Sequence, residues 1–468
     1  MLRTVCTAIA ATMLIASPAA AESKLLKEIV SFTGAVLHYQ LKVPGLVFGV
    51  VKDGDIVVVG YGEHRDGSGT APDGDTVMRI GSITKAFTGA ALASLVADGT
   101  VTLADRLDTH LDWDVEVPSQ DGLPIRLIHL ATHTSGLPRE IEREAAPDND
   151  PFATVTREAM ARNLAADDPL LFAPGTSGLY SNFAFDLLAQ ALGQADGQPY
   201  EALLRSRVLE PAGLNATGFA PAPGRTVMQG HGFDGEPLPD VPTPEMIQGA
   251  GGLFASANDI LGWLDWHLDR FAEENAAMRL IDHAAYVPRD ALETLYGFDE
   301  SGRMGAMGLG WVVMYGNDVR PTILQKAGGL QGVFAYTAFA PAHGVGAFVA
   351  INQFDFSAAM SMAEVVNDLI ADLASDPTTP AATAAAAGEP EQASFVFRCE
   401  GLGPVPARFG ERDVELTLPD GVVALPQLPS GSGARYGNQT IEFWNKGDEA
   451  TLTRTIAAGS VEHACRED

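Results

Sequence analysis

The chain has 468 residues, 46% of them hydrophobic, so it is long enough for two or three domains with a large core. Its formal net charge of −30 argues against a nucleic acid or an anionic membrane surface as partner. Past the N-terminal segment, no apolar stretch reaches about 18 uncharged residues, so no membrane span is expected.

Residues 1–21 have the composition of a secretory signal peptide. Arg3 makes a short basic start, residues 4–16 are apolar, and Pro18 with three alanines supplies an A-x-A cleavage site. The apolar run is too short to span a bilayer. We therefore expect cleavage after Ala21 and a periplasmic location.

Residues 22–375 mix helical and strand-like patterns. Two β-rich runs, 46–52 and 56–61, are joined by Asp53-Gly54 and predict a hairpin. Further strand-like runs occur at 308–314, 322–326, 332–339 and 345–352, and helical periodicity occurs at 24–41 and 358–373, with a mainly helical stretch over 103–303. This order predicts an α/β lobe assembled from both ends of the segment, with a helical lobe inserted and a site in the cleft between them.

Residues 376–393 form a Pro- and Ala-rich linker by composition, and residues 394–468 are expected to form a small all-β domain. Strand-like alternation is found there at 395–399, 414–418, 441–444 and 450–453. Because Cys6 lies in the signal peptide, the mature chain has two cysteines, Cys399 and Cys465. An even pair in an exported chain indicates a disulfide, with two free thiols as the alternative.

A serine and a lysine three residues apart occur in the stretch Gly81–Gly89. Residues 86–97 predict an amphipathic helix, so Ser82 lies at its N-terminus and Lys85 lies on the same face. A hydroxyl beside an amine at this spacing is a nucleophile with a built-in base. The alternative is an N-cap serine followed by a solvated lysine.

Lysine is scarce in this chain, with seven lysines against twenty-three arginines. Arginine does not deprotonate and cannot serve as a base, whereas the pKa of lysine shifts readily on burial. The lysines that remain after residue 52 are therefore candidates for function: Lys85, Lys326 and Lys446.

The Tyr180-Ser181-Asn182 segment follows a Pro-Gly turn and precedes a helical pattern, so its side chains can project into a cleft. The Tyr180 hydroxyl can relay a proton if a neighbouring ammonium group lowers its pKa, and Asn182 can both donate and accept hydrogen bonds. The alternative is a core tyrosine followed by an asparagine that caps the helix.

The Lys326-Ala327-Gly328-Gly329 segment is expected at the end of a strand, where its glycines would let a substrate backbone approach closely. Lys326 would supply positive potential for a substrate carboxylate, and the Gly329 amide could form an oxyanion hole with the Ser82 amide. The alternative is a lysine that protects an edge strand from aggregation.

In this order the three motifs resemble the class C β-lactamase and penicillin-binding-protein serine hydrolases, and most closely the AmpH-type DD-carboxypeptidase/endopeptidases of peptidoglycan. The resemblance covers residues 24–374 and is carried by GSITKAFTG, HLATHTSGLPRE, YSNFAFDLLAQAL, GLGWV and QKAGG. It implies a serine β-lactamase/DD-peptidase-like α/β fold, with an antiparallel sheet flanked by terminal helices and a helical lobe.

The resemblance also implies roles for single residues. Ser82 would be the acylating nucleophile, and Lys85 with Tyr180 the base and proton shuttle. Asn182 would hold the substrate amide, and the wall Lys326-Ala327-Gly328-Gly329 would bind substrate. The family usually has Thr or Ser where this chain has Ala327, which removes a hydroxyl that helps bind the terminal carboxylate and leaves endopeptidase or esterase chemistry open.

The sequences SGARY at 432–436 and FWNKGDEA at 443–450 resemble the membrane-bound inhibitors of c-type lysozyme, the MliC family, over residues 395–466. The resemblance implies an antiparallel β-barrel closed by the disulfide, with Ser432 and Lys446 inserted into the lysozyme cleft between its catalytic carboxylates. From residue 391 on there are seven basic and twelve acidic side chains, which favours encounter with a cationic lysozyme.

His129 and His133 are four residues apart, but without a neighbouring Glu or a third ligand we expect them to be structural, with no metal and no cofactor. The preferred function is an exported peptidoglycan DD-peptidase that carries a lysozyme-inhibitor domain. The alternatives are a class C-like β-lactamase or esterase, and a binding protein whose hydrolase lobe is only a scaffold.

Overall fold

The computed structural model describes residues 18–467 except for 148, 270, 318, 376–392, 410–412, 419–420, 429–433, 439, 447–448 and 457–458. The chain divides into two compact units, Met1–Ser375 and Asp376–Asp468. No helix among the described residues is both long enough and apolar enough to cross a membrane.

The helices of the first unit are α1 (Pro18–Leu41), α2 (Thr84–Ala97), α3 (Leu127–Ala131), α4 (Arg157–Leu164), α5 (Asn182–Asp196), α6 (Tyr200–Leu204), α7 (Ala257–Leu268), α8 (Ala276–Asp282) and α9 (Phe356–Ala374). Its strands are β1 (Gly45–Lys52), β2 (Asp55–Gly62), β3 (Val77–Arg79), β4 (Ser119–Gln120), β5 (Leu123–Pro124), β6 (Gly178–Leu179), β7 (Phe254–Ser256), β8 (Val287–Pro288), β9 (Leu295–Tyr296), β10 (Ala306–Met307), β11 (Val312–Met314), β12 (Ile323–Leu330), β13 (Val333–Ala340) and β14 (Val345–Ile351).

The main sheet is antiparallel, with the strand order β2-β1-β14-β13-β12-β11-β10-β8. Strands β1 and β2 form the predicted hairpin, whose turn places both Asp53 and Gly54 at positive φ. Strand β14 then pairs with β1, so the two ends of the segment meet in one sheet. The expected α/β lobe with an inserted helical lobe is confirmed.

Both faces of the sheet are covered, which explains why β1 is buried almost throughout. Side chains alternate across a strand, so Val47 and Val51 pack with the helical lobe around α2 and α7, whereas Phe48 and Val50 pack with α1 and α9. The larger part of the core therefore lies between the sheet and the inserted helices.

Two sequence expectations about local structure need correction. The run 308–314 is not one strand, because a tight turn at Gly308–Trp311, with Gly310 at positive φ, separates β10 from β11. Helix α2 is not amphipathic: eleven of its residues are buried, because it lies between the sheet and the other helices of the lobe.

The second unit is a closed eight-stranded antiparallel barrel. Its strands are β15 (Ala393–Cys399), β16 (Gly403–Phe409), β17 (Asp413–Leu418), β18 (Gly421–Leu428), β19 (Ala434–Gly437), β20 (Ile441–Lys446), β21 (Glu449–Ile456) and β22 (Gly459–Glu467). Sequence reasoning found β15, β17, β20 and β21. It missed β16, which carries Pro404 and Pro406, and it treated Ala434–Tyr436 as loop although these residues lie in β19.

The disulfide between Cys399 and Cys465 joins the first and last strands of the barrel. The two cysteines are a register pair of β15 and β22, and both side chains are buried in the barrel core. The expected pairing is confirmed, and the bond fastens the seam at which the barrel closes.

Reduction of this disulfide should destabilise the barrel by about 4 kcal/mol, because the reduced unfolded chain regains the entropy of an open loop. Hydrogen exchange measured by mass spectrometry should then speed up in β15 and β22 on reduction. Exchange in β1 and β2, which contain no cysteine, serves as the internal control. Unchanged protection in the barrel strands would contradict this prediction.

Candidate active site

Ser82 lies on a single 3₁₀ turn, Gly81–Ile83, that leads directly into α2. Gly81 has a φ of 50°, and a Cβ at this position would lie 2.6 Å from the backbone nitrogen of Gly329. A glycine is therefore required here, both for the left-handed backbone and for close packing on β12. This packing brings Ser82 against the strand that carries Lys326.

The amine of Lys85 is completely buried and makes three contacts in the core of the site. Its Nζ lies 3.0 Å from Ser82 Oγ, 2.7 Å from Asn182 Oδ1 and 2.7 Å from the carbonyl oxygen of Ala250. The predicted pair of Ser82 and Lys85 is thus in hydrogen-bonding contact, and the alternative of a solvated lysine is wrong.

The three neighbours of Lys85 orient the amine when it is neutral. A neutral amine has two hydrogens and one lone pair. The Asn182 and Ala250 oxygens can only accept, so they take the two hydrogens. The lone pair is left for Ser82, whose hydroxyl then donates to Nζ, and this is the arrangement that a general base requires.

Burial lowers the pKa of Lys85, and the neighbouring ammonium of Lys326 lowers it further, against the opposing effects of Tyr180 and Asp186. Asp186 lies one helical turn after Asn182 on α5 and is also buried. Burial raises its pKa well above the usual range, and its Oδ1 accepts a hydrogen bond from the Ala250 amide at 2.8 Å. Asp186 therefore holds Ala250, the residue whose carbonyl oxygen accepts from Lys85.

Asn182 begins α5, but Ser181 is the residue that caps this helix. Ser181 Oγ accepts from the Ala184 amide at 3.0 Å and donates to the Pro138 carbonyl at 2.6 Å. The Asn182 side chain does not cap the helix: its Nδ2 donates to Glu140 Oε1, and its Oδ1 accepts from Lys85 Nζ. The alternative of an asparagine that caps the helix is therefore wrong.

Tyr180 stands between the two lysines. Lys326 Nζ donates to Tyr180 Oη at 3.1 Å, and the Nζ atoms of Lys85 and Lys326 lie 5.0 Å and 4.9 Å from the ring centroid. The His133 ring stacks on the Tyr180 ring with 4.3 Å between centroids, and its Nδ1 accepts from the Ser181 amide at 3.0 Å. His133 therefore supports the segment that carries Tyr180 and Asn182.

The pKa of Tyr180 is lowered to about 7. Desolvation raises it, but the charges of Lys326 and Lys85 and the hydrogen bonds with Ser82 and Lys326 outweigh that effect. Lys85 and Tyr180 interact strongly, so they titrate as one system rather than as two independent groups. A base of this kind is available close to neutral pH.

The Lys326–Gly329 segment lies inside β12 rather than at its end, which corrects the sequence expectation. Among the described strands, β11 pairs with β12 only as far as Gln325, whereas β13 pairs with it along the whole segment. The edge of β12 that β11 leaves unpaired faces the Ser82 turn. A Cβ on Gly328 would lie 2.0 Å from the Ile80 carbonyl oxygen. The glycine is thus needed for contact with the nucleophile turn, and not for the approach of substrate backbone.

Ser82, Tyr180 and Lys326 to Gly329 line one cavity of about 570 Å³. Lys85 and Asn182 do not line it and join the site through the contacts of the Lys85 amine. Sequence reasoning missed four residues of this neighbourhood: Glu140, Arg139, His133 as the support of Tyr180, and Asp186. Arg139 and Glu140 close the stretch HLATHTSGLPRE, and Arg139 Cζ lies 4.9 Å from the centre of the Tyr180 ring. Asp186 left a usable signal, an acid inside the otherwise apolar run FAFDLLAQAL.

His129 and His133 each accept a backbone hydrogen bond, from the Arg126 and Ser181 amides. Among the described residues, three potential metal ligands lie close together in a different place: His267, Asp282 and His283. There His267 Nδ1 lies 2.8 Å from His283 Nε2, and Asp282 accepts from Trp311 Nε1 at 2.9 Å. This buried polar group lies in the core beside α2, outside the lining of the catalytic cavity.

Comparison with known proteins identifies the two units. Residues 21–371 match the family described as Beta-lactamase. The chain belongs to the beta-lactamase family. Residues 397–460 match the membrane-bound lysozyme-inhibitor of c-type lysozyme family, MliC, so this beta-lactamase-family chain also carries an MliC domain.

Several relatives cover nearly the whole first unit. The chain is 34% identical over 357 residues to the D-alanyl-D-alanine-carboxypeptidase/endopeptidase AmpH of Escherichia coli (strain K12), covering 75% of this chain and 90% of that protein. A beta-lactamase/D-alanine carboxypeptidase from Yersinia pestis, solved with citrate, superposes with a TM-score of 0.68 at 32% identity, covering 75% and 99% of the two chains. The octameric penicillin-binding protein homologue from Pyrococcus abyssi, at 20% identity, has a TM-score of 0.63. The match covers 94% of this chain and 99% of that chain, so the two share the fold.

The residues expected to bind lysozyme can be placed only in part. Ser432 lies outside the described residues. Lys446 is the last residue of β20 and pairs with Glu449 of β21, so its backbone stands at a hairpin end. Its side chain lies outside the described set, as do residues 1–17 of the expected signal peptide and nearly all of the expected linker.

The rate of Ser82 acylation should rise about tenfold per pH unit up to about pH 7 and then level off, because the protonated Tyr180–Lys85 pair cannot take the Ser82 proton. A stopped-flow assay with a fluorescent penicillin over pH 5–9 measures this profile. Tyr180→Phe should lower the plateau about 10²-fold or more and displace the rise. Tyr315→Phe, at an exposed tyrosine away from the cavity, is the matched control. A profile that Tyr180→Phe leaves unaltered would refute the assignment.

Proposed function

We propose that this protein is an exported serine DD-peptidase that cleaves peptidoglycan peptides through an acyl-enzyme at Ser82. The observation that carries the proposal is the buried Lys85 amine, whose lone pair is directed at Ser82 Oγ by two obligate acceptors. The relatedness to a protein named as a D-alanyl-D-alanine-carboxypeptidase/endopeptidase supports the choice of substrate.

In the proposed acylation step, Lys85 takes the proton of Ser82 Oγ as the oxygen attacks the scissile carbonyl carbon. The developing oxyanion accepts hydrogen bonds from the Ser82 and Gly329 amides. The proton then passes through Tyr180 to the leaving amine, and the carbon–nitrogen bond breaks. Water later attacks the ester carbon and gives one proton to the same pair. The carbon–oxygen bond to Ser82 then breaks, the pair returns the proton to Ser82 Oγ, and the peptide leaves with a carboxyl group.

Asn182 and Lys326 would position the substrate in this scheme. The Asn182 amide nitrogen is bonded to the exposed carboxylate of Glu140, so a substrate carbonyl would take over that hydrogen bond while Oδ1 stays on Lys85. Lys326 would favour the deprotonated form of Tyr180, to whose oxygen it donates, and would attract negative charge on the substrate. Glu140 is thereby a positioning residue for the substrate-binding amide.

Ala327 bears on which peptide bond is cut. Its methyl group stands in the cavity wall where the resemblance places a hydroxyl that helps bind a terminal carboxylate. Without that hydroxyl, an internal cross-link loses less binding than a free C-terminal D-Ala does. We therefore propose that cross-link cleavage exceeds terminal D-Ala release.

The C-terminal barrel is proposed to inhibit c-type lysozyme, with Ser432 and Lys446 entering its cleft. The position of Lys446 at a hairpin end and the excess of acidic residues in this region support the proposal. With residues 1–21 as a cleaved signal peptide and 376–393 as a linker between domains 22–375 and 394–468, one periplasmic chain would trim and protect the same polymer.

Incubation with purified muropeptides tests the peptidase proposal. Wild-type protein should cleave cross-linked dimers and should bind penicillin covalently at Ser82, as read by mass spectrometry, whereas Ser82→Ala should do neither. Ala327→Thr should raise terminal D-Ala release about tenfold, because it adds one hydrogen bond to a charged group. Hydrolysis of a chromogenic cephalosporin or of short esters without muropeptide cleavage would instead favour the β-lactamase or esterase alternative.

Inhibition of a c-type lysozyme by the full chain tests the barrel proposal. Lys446→Ala should weaken inhibition about 30-fold or more, because it leaves the lysozyme carboxylates without their partner. Lys52→Ala, at a lysine of the first unit, should have no effect, and Ser82→Ala should inhibit like wild type. Equal inhibition by wild type and Lys446→Ala would overturn the role of this lysine.

A further inference from the structure

The catalytic cavity is polar at one end and aromatic at the other. Its charged lining residues among the described part of the chain are Arg139, Glu300 and Lys326. Arg139 and Lys326 both contact Tyr180. Glu300 lies at the same end, because a Cβ on Gly297 would be within 4 Å of both Tyr180 and Glu300. The remaining end is lined by five large apolar side chains, which we call the aromatic shelf: Phe233, Phe334, Phe354, Phe356 and Met360.

Four phenylalanines of the shelf form a connected ring cluster. Phe334 lies 5.0 Å from Phe354 and 5.5 Å from Phe356 between ring centroids, and Phe233 lies 5.4 Å and 5.2 Å from the same two rings. The Phe354 amide donates to the His231 carbonyl at 2.9 Å, which holds the Phe233 loop beside the start of α9. The cluster is thus built from three separate chain segments.

The shelf is continuous with the strand that faces Ser82. Gly329 and Phe334 are cross-strand partners in β12 and β13, and a Cβ on Gly329 would lie 2.4 Å from Phe334 Cε1. The Phe334 ring therefore covers the place of the missing side chain. An apolar group lying on the shelf would extend from a carbonyl bound between Ser82 and Gly329.

The shelf leaves large apolar surface in contact with solvent. Phe233, Phe356 and Met360 are exposed by 62%, 66% and 58% of their surfaces, although each could be better buried in a core of this size. Exposed apolar surface that is contiguous with a catalytic cavity marks a ligand-binding site. None of the five shelf side chains carries a charge, so the shelf itself offers a carboxylate no charged partner.

We propose that the aromatic shelf is a substrate subsite for an uncharged group that bears an aromatic ring or a bulky hydrocarbon. This proposal rests on the proposed function, since it assigns the chemistry of one end of the same substrate. The polar part of that substrate lies at the Tyr180 end, beside Lys326 and Arg139. Ala327 and Phe334 pack against the same core cluster, so the shelf adjoins the residue at which the resemblance expects a hydroxyl.

Binding to full-length Ser82→Ala protein tests the shelf without any covalent chemistry. The probes are butyrate and 4-phenylbutyrate, whose carboxylate can reach the cavity lysine and whose phenyl ring can reach the shelf. Isothermal titration calorimetry should show 4-phenylbutyrate binding about tenfold or more tightly, from burial of the ring. In the double variant Phe233→Ala/Phe356→Ala, added to Ser82→Ala, the preference should fall below about threefold.

Phe32→Ala in the same background is the matched control, since Phe32 is an exposed phenylalanine of α1 that does not line the cavity. It should keep the full phenyl preference. No preference for the phenyl compound, or a preference that the double variant retains, would overturn the subsite. Penicillin labelling of wild-type Ser82 without phenyl preference would overturn the subsite and leave the peptidase proposal standing. Phenyl preference without labelling would overturn the peptidase proposal and leave the subsite standing.

Discussion

The buried amine of Lys85 is the interaction on which the rest of the site depends. A buried amine without partners would cost several kcal/mol, so the fold must bring acceptors to it. Two acceptors come from the first residue of α5 and from the segment before β7, and the Ser82 turn supplies the third partner, a hydroxyl. One side chain thus ties together three parts of the chain up to 165 residues apart, and its burial both lowers its pKa and holds its partners in place.

The second constraint is the contact between β12 and the turn that carries Ser82. Gly81 and Gly328 have no side chains because backbone atoms of the opposing segment occupy that space. This close approach sets the Gly329 amide beside the Ser82 turn and sets Lys326 against Tyr180. Gly329 lacks a side chain for a different reason, since the Phe334 ring occupies that space. The same strand therefore links the polar and aromatic ends of the cavity.

The two units solve their stability problems differently. The first unit has an extensive core between a sheet and two helical layers. This core is large enough to bury ionisable groups such as Lys85 and Asp186, whose burial is destabilising. The barrel has a small core of its own and is fastened at its seam by the Cys399–Cys465 disulfide. A small domain in an oxidising compartment commonly needs such a bond.

The sequence alone determined the features that depend on local pattern: the β1–β2 hairpin, the terminal helices, the disulfide pair and the motif residues Ser82, Lys85, Tyr180, Asn182 and Lys326. Residue type and the spacing within a motif are properties of neighbouring positions, so these features can be predicted without knowing the fold. Tertiary structure alone decided that Ser181 caps α5 in place of Asn182, that Asp186 and Glu140 orient the lysine and the amide, and that β16 is a strand despite its prolines. It also assembled the aromatic shelf, because contacts between segments a hundred residues apart follow from packing and leave no periodicity in the chain.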